Sequence, residues 1–479
     1  MIKNIKWLAF IALAFVACNS DDEAIVDPNS TDGTPLTAGS ADFSKYVALG
    51  DSFAAGFSDN ALFMEGQKNS YPNIIASQFA LVGGGEFTTP FMNDNIGGFS
   101  SGGVQIPQFG PRLWFNAATS TPTPVTGVST TDISTHLSGP FNNFGIPGAK
   151  ATHLDFAGYA TANPYFGRMA SSTTATVVDD AVATNPTFFS LWIGGNDVLG
   201  YATSGGVSTS PITPTTTFNA VYNALIAKLT SGGRKGVIAN LPYVSTLPYF
   251  TTVPYNPVPL DAATAAQLNA GYAAYNNGLL FAQSNGLLTA AEVAQRTISF
   301  SASATNKVVI VDEYLTNLTG FGIPSYRQAT SEDLIVLPAR AFIGTTVGGN
   351  PLQVNGVSVP LADQWVLSKN EIAEVKAATD SYNQTIQDAA TANGLALVDA
   401  KTLMTQLSTT GVVANNYTLT STYVTGATFS LDGVHPSPRG YAFIANQFLK
   451  AINETYGSNF KGVNVGTYRI LYPQDPANF

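Results

Sequence analysis

The 479-residue chain has one cysteine and three histidines, and only 11% of its residues are charged. A single cysteine excludes an internal disulfide framework, and no Cys/His cluster of the kind that holds zinc occurs. The 21 Lys and Arg stand against 31 Asp and Glu, a net charge of −10. Nucleic-acid binding rests on Lys and Arg against phosphates, so that class is set aside. The phosphate-cradling G-x-x-x-x-G-K run is missing as well. What remains is a 45% hydrophobic chain, long enough to build a full core without metals or crosslinks.

Lys3 and Lys6 precede the apolar run Trp7 to Ala17. That run is too short to span a bilayer as a helix and reads as a signal sequence over residues 1–17. The only cysteine, Cys18, follows Phe15-Val16-Ala17. This ending resembles a bacterial lipoprotein box, which implies a lipid on Cys18 and a membrane anchor that does not span. Phe15 stands where Leu is usual, and an ordinary signal peptide with an incidental thiol is the alternative. Asn19-Ser20-Asp21-Asp22-Glu23 resembles the acidic export tag of surface lipoproteins of the Bacteroidota; a solvated acidic linker is the plain alternative. The expected location is the bacterial outer membrane or cell surface. Residues 18–42 are expected to be a lipidated cysteine and a flexible tether, being rich in Asp, Thr, Pro, Gly and Ser.

Short apolar runs at Tyr46–Leu49, Thr187–Ile193, Gly236–Asn240, Val308–Val311 and Leu395–Val398 predict buried parallel strands. Helical periodicity falls between them. Phe218, Val221, Leu225, Ile226 and Leu229 share one face, and Ser231-Gly232-Gly233 stops that helix. Ser368 and Glu371 form a capping box, with Gly394 past the other end. Ser437 and Pro438 open a last helix whose stripe includes Tyr441, Phe448 and Ile452. Strands alternating with helices argue for a parallel sheet covered on both faces, with chemistry beyond the carboxyl ends of its strands. One domain over 43–460 is expected, with a tail at 461–479. Long insertions over the active face are expected at about 82–139, 242–259 and 314–361. The last holds a possible hairpin around Val354-Asn355-Gly356-Val357.

Four segments stand in order: Gly50-Asp51-Ser52-Phe53, Asn143-Phe144-Gly145-Ile146-Pro147-Gly148, Gly194-Gly195-Asn196-Asp197 and Asp432-Gly433-Val434-His435-Pro436. Ester cleavage needs a nucleophile, a base and donors to an oxyanion. Ser52 is the candidate nucleophile, placed at a strand-to-helix turn where a helix dipole favours its alkoxide. Asp51 reads as a local acceptor for the turn. His435, three residues after Asp432, is the candidate base; His136 and His153 read as surface or packing residues. Ala54 breaks the G-x-S-x-G elbow of α/β-hydrolases. Asn93-Asp94-Asn95-Ile96-Gly97 reads as a turn, since it lacks the terminal glutamate of a calcium loop.

The four blocks together resemble the GDSL lipase, or SGNH hydrolase, family. Ser70-Tyr71-Pro72, Gly236–Pro242 and Tyr382-Asn383 look like further family segments. The resemblance implies a three-layer α/β/α sandwich of flavodoxin-like type and a serine esterase that needs no cofactor and no metal. It implies catalysis by Ser52, Asp432 and His435, with an oxyanion hole from Ser52, Gly148 and Asn196. Gly148 is preferred to Gly145 because it ends its block, where the family's donor stands. Gly148 lies 96 residues after Ser52, longer than the family norm, which bears on pocket shape. The expected partners are an ester substrate and, through Cys18, a membrane. Lipid or fatty-acyl esters are the first expectation. Phe87, Phe91, Phe99, Trp114, Tyr249, Phe250, Tyr255, Leu334 and Ile335 either line an acyl site or form the insertions' own core. A carbohydrate O-acetylesterase is the alternative within the class, and an inactive surface-binding lipoprotein the alternative outside it.

Overall fold

Five short segments, Tyr46–Gly50 (β1), Asn143–Gly145 (β2), Phe188–Trp192 (β3), Lys235–Ala239 (β4) and Ala396–Val398 (β5), pair side by side in one sheet. Their order is β5-β4-β3-β1-β2 and every pairing is parallel. The register sets Leu49 between Phe144 and Leu191, and Leu191 beside Ile238. Both faces of these strands are buried, which explains why four of them read as apolar runs; β2, Asn143-Phe144-Gly145, carries no such run and is not among the predicted strands. The computed structural model describes residues 27–207 and 209–479. The expected signal sequence and Cys18 lie outside the described residues.

The helices used below are Ser52–Ala55 (α1), Tyr71–Phe79 (α2), Val177–Ala183 (α3), Asn196–Thr203 (α4), Thr215–Thr230 (α5), Ala262–Ser284 (α6), Lys369–Asn393 (α7) and Pro438–Tyr456 (α8). α8 packs on α2 and on β5, where Phe448 stacks on Tyr71 at 4.6 Å. α5 packs on α7, where Phe218 stacks on Tyr382 at 3.9 Å. Each such pair contributes about 0.5–1.5 kcal/mol beyond its burial. The result is an α/β fold with a five-stranded parallel sheet between helical layers. Helix ends follow local chemistry. Ser437 accepts from the Gly440 N–H at 3.1 Å to start α8, and Gly394 ends α7 at φ +61°.

Several expectations are corrected. Val309–Val311 is a strand but not one of this sheet; it pairs antiparallel with Tyr326–Gln328. An apolar run reports burial and not which sheet buries it. The segments expected as separate insertions at 242–259 and 314–361 belong to one excursion between β4 and α7, which also contains α6. The hairpin of that region lies at Thr346–Val354 and turns on Gly348-Gly349. Val354–Val357 is instead a turn, closed by the Val357 N–H on Val354 O at 3.1 Å. The described part of the expected flexible tether is held to the body: Thr37 N donates to Asn459 Oδ1 at 2.9 Å and Ser40 N to Tyr456 O at 2.8 Å. The tail is packed too. Buried Arg112 donates to Pro473 O at 2.7 Å, and Tyr472 meets Phe63 edge-on.

Candidate active site

β1 delivers Ser52 to the carboxyl edge of the sheet. Asp51 caps the turn there, its Oδ1 accepting from the Phe53 N–H at 2.9 Å. α1 is a single turn, so the expected helix dipole shrinks to the few N–H groups of that turn. A Cβ on Gly50 would lie 2.5 Å from Trp192 O, so the first block needs glycine for backbone clearance.

The Asp432–His435 loop arrives just before α8. His435 Nε2 lies 2.8 Å from Ser52 Oγ, and Nδ1 lies 2.9 Å from Asp432 Oδ2. A carboxylate only accepts, so Nδ1 carries the proton and Nε2 is left to accept from the serine hydroxyl. Asp432 Oδ1 accepts from the N–H groups of Val434 and His435, at 2.9 and 2.8 Å. Burial works to raise this carboxyl, but the charge and hydrogen bonds of His435 outweigh it and hold it at about 2. Asp432 is therefore ionised at neutral pH. A serine hydroxyl on an imidazole oriented by a carboxylate is the arrangement that makes serine a nucleophile.

A segment that sequence reasoning passed over holds this loop. Asn60 N donates to Asp432 Oδ2, Asp59 Oδ1 accepts from Leu431 N, and Ser58 Oγ donates to Pro436 O. Phe57 packs 4.6 Å from the His435 ring. The readable signal was the polar run Ser58-Asp59-Asn60 directly after the nucleophile block. Gly433, at φ +74°, lets the loop meet the β4–α7 excursion: Tyr249 N donates to Gly433 O at 2.9 Å.

β2 and β3 deliver the other two blocks. Ile146-Pro147-Gly148-Ala149 has the pattern of a type II turn, with Ala149 N on Ile146 O at 3.0 Å and Gly148 at φ +79°. Neither the Gly148 nor the Ser52 N–H meets a protein acceptor among the described residues. Gly145 is different. Its N–H is held by Asn143 Oδ1 at 2.9 Å, and a Cβ there would lie 2.2 Å from Ala55 N. Gly145 therefore serves backbone approach, while Gly148 has a free N–H. Asn196 opens α4, and its Nδ2 donates to Ala149 O at 3.0 Å, with Asp51 Oδ2 3.4 Å away. Asp197, fully buried, accepts from Ala151 N at 2.8 Å. The two blocks are thus bolted together. Burial pushes Asp51 up to about 6, against the Phe53 N–H and the His435 charge that favour its ionised form.

The remaining expected residues fall into place away from the chemistry. His136 meets Ala170 O at 2.9 Å, and His153 stacks on Tyr159. Asp94 spends its carboxylate on the N–H of Ile96 and on Thr130, as a turn does. Of the aromatic and aliphatic candidates, Phe99, Phe250 and Ile335 are buried in the core and Phe87 stacks on Tyr46. Tyr249 borders a cavity near the site. That cavity, about 560 Å³, lies beside Asp432 and Asn60 and is bounded by Tyr249, Leu337 and Arg340. Beside α1, an apolar slot of about 50 Å³ lies among Phe53, Trp192, Val198, Leu199, Leu241 and Leu247, with Asp51 and Gly195 on its wall.

Among solved structures, the fold is similar to an acetyl xylan esterase from Geobacillus stearothermophilus, at 11% identity, 86% of this chain, 95% of that one and a TM-score of 0.35. It is similar to an alpha/beta hydrolase enzyme from the metagenome of Lake Arreo, Spain, at 12% identity, 86% and 96% coverage and a TM-score of 0.33. An extracellular lipase from Streptomyces rimosus matches at 12% identity, 86% and 98% coverage and a TM-score of 0.30. No curated protein matches the chain. The sequence profile described as GDSL-like Lipase/Acylhydrolase matches residues 46–311, a stretch that ends before the Asp432–His435 loop. That match spans more than half of the chain, which belongs to the GDSL-like lipase/acylhydrolase family of carboxylic ester hydrolases.

Proposed function

We propose that Ser52 attacks the ester carbonyl while His435 takes its proton, and that His435 then protonates the leaving alcohol. Water, activated by the same imidazole, resolves the acyl-enzyme. Asp432 keeps the imidazole in the required tautomer. The oxyanion receives the N–H groups of Ser52 and Gly148 and the Asn196 amide hydrogen that otherwise makes the long contact to Asp51 Oδ2 at 3.4 Å. The observation that carries this reading is the continuous contact from Asp432 through His435 to Ser52, at 2.9 and 2.8 Å. Mass spectrometry after exposure to a fluorophosphonate probe tests it. One adduct on the wild type and none on Ser52→Ala is expected; an adduct on both proteins removes Ser52 from the mechanism.

The acyl group sits in the apolar slot beside α1. Its hydrocarbon walls favour the acyl chain of a lipid-type ester. Its size favours a second reading: about 50 Å³ admits roughly three to five water-sized groups, enough for an acetyl or other short acyl group. An O-acetyl ester of a carbohydrate fits that limit. Rates on acetyl, butyryl and C8–C16 esters separate the two.

The anchor and location are proposed from the sequence pattern alone. Cys18 carries acyl chains and holds the enzyme at the outer membrane or cell surface of a bacterium. Partition of the wild type into detergent, lost in Cys18→Ala, is the expected result; equal partition of both ends the proposal.

A further inference from the structure

Three carboxylates meet far from Ser52's hydroxyl chemistry, at the opposite end of the helix that Asn196 opens. Glu313 follows the strand Val309–Val311, Asp363 lies in the excursion, and Glu371 is in the first turn of α7. One oxygen from each lies within 4.8 Å of the others. Glu371 is fully buried. Its Oε2 accepts from the Ser368 N–H at 2.6 Å, but its Oε1 is closed off from solvent and has no donor among the described residues. None of the three is in an ion pair among the described residues. The neighbouring acids are served: Arg327 pairs with Asp312 and Asp333, and Glu374 accepts from Tyr201 and Tyr314.

The backbone around the group is cut to fit it. A Cβ on Gly206, at φ +80°, would lie 1.8 Å from Glu371 Oε1. A Cβ on Gly205 would lie 2.0 Å from Asp363 O. Two consecutive glycines therefore let the end of α4 close over the carboxylates. Three like charges at this spacing, one of them buried, are unfavourable unless something positive joins them.

We propose that Glu313, Asp363 and Glu371 bind a calcium ion that ties the β4–α7 excursion to α7 and to the end of α4. An all-oxygen, all-carboxylate set suits a hard cation and not zinc. Oxygens on opposite sides of Ca²⁺ at 2.3–2.6 Å are about 4.6–5.2 Å apart, which covers the observed spread. Around Mg²⁺, at 2.0–2.1 Å, they are at most about 4.2 Å apart, a tighter demand on three carboxylates held by separate segments. Water completes the shell on the exposed Glu313 side.

The test is calorimetric titration of CaCl2 into the EDTA-treated full-length protein, beside thermal melts with and without calcium. One ion per chain and a calcium-dependent rise in Tm are expected, with magnesium weaker. Glu313→Gln, an exposed position that leaves the helix cap intact, should weaken calcium binding roughly tenfold or more. Absence of calcium heat and of any Tm rise in the wild type overturns the proposal. Equal binding by wild type and Glu313→Gln overturns it too, by placing the ion elsewhere.

Discussion

Asn60 donates its backbone N–H to Asp432 Oδ2 at 2.9 Å, the same oxygen that holds His435 Nδ1 at 2.9 Å. Two segments more than 370 residues apart in sequence thus aim one imidazole. Asp59 fixes this contact, because its Oδ1 receives the Leu431 N–H at 2.8 Å. Asp59→Ala removes that acceptor and places alanine at φ +51°. The unpaired N–H costs about 1–3 kcal/mol and the left-handed backbone about 1–2 kcal/mol. Loss of aim should lower kcat by up to roughly 100-fold with KM little changed. Asp59→Asn, which keeps an acceptor oxygen and tolerates the backbone, should restore most of the rate. Equal kcat in wild type and Asp59→Ala would show that the segment only supports the fold.

The Asp432 carboxyl gives a pH prediction with a definite sign. Its folded pKa, about 2, lies below the ordinary 3.8. The unfolded chain therefore binds the proton more readily, and the stabilisation is present above about pH 4 and lost as pH falls through about 2. The shift corresponds to about 2 kcal/mol. The stability gap between wild type and Asp432→Asn should be level from pH 7 to about 4 and then shrink in denaturant titrations at lower pH. The same variant presents an amide N–H₂ to Nδ1 and turns the tautomer, so kcat should fall roughly a thousandfold or more.

The two glycines of the second block should separate in behaviour. Gly145→Ala forces a Cβ to 2.2 Å from Ala55 N and should yield insoluble or unfolded protein. Gly148→Ala meets nothing within 4 Å, so it should fold, at a cost of about 1–2 kcal/mol for its positive φ. Its rate should fall as the turn shifts the donor. Asn196→Ala, a direct loss of a donor, should lower kcat about 100–1,000-fold. Soluble expression and kcat of the three variants check this; a folded, fully active Gly145→Ala would remove the backbone argument.

Four of the sheet's five strands and the four blocks were legible because each rests on local signals; β2, Asn143-Phe144-Gly145, has no apolar run to read. Buried parallel strands read as apolar runs, caps sit at fixed spacing, and Asp432 and His435 are near in sequence. What was not legible depends on pairing at long range. Nothing in the run Val308–Val311 says that it pairs with Tyr326–Gln328 rather than joining the sheet. Nothing in the polar composition of residues 27–41 announces that Asn459 pins them. The hold of Ser58-Asp59-Asn60 on the Asp432 loop is likewise a contact between distant segments, each hydrogen bond joining a side chain on one to a backbone group on the other.

Moving the wall of the slot beside α1 tests the proposal that it holds the acyl group. Leu199 lies on α4, three residues past Asn196, and borders the slot with Leu241 and Leu247. Leu199→Trp adds a ring to a space of about 50 Å³ without touching the donor atoms at the start of α4. Acetyl ester turnover should stay within a few-fold of wild type, because two carbons need only the mouth of the slot. Butyryl and longer esters should lose kcat/KM by roughly 10–100-fold, since each methylene kept out of an apolar site forfeits about 0.8 kcal/mol and the remainder clashes. A chain-length series on wild type and variant is the measurement. If octanoyl turnover survives Leu199→Trp unchanged, the acyl chain lies elsewhere, and the cavity beside Tyr249 and Leu337 becomes its site.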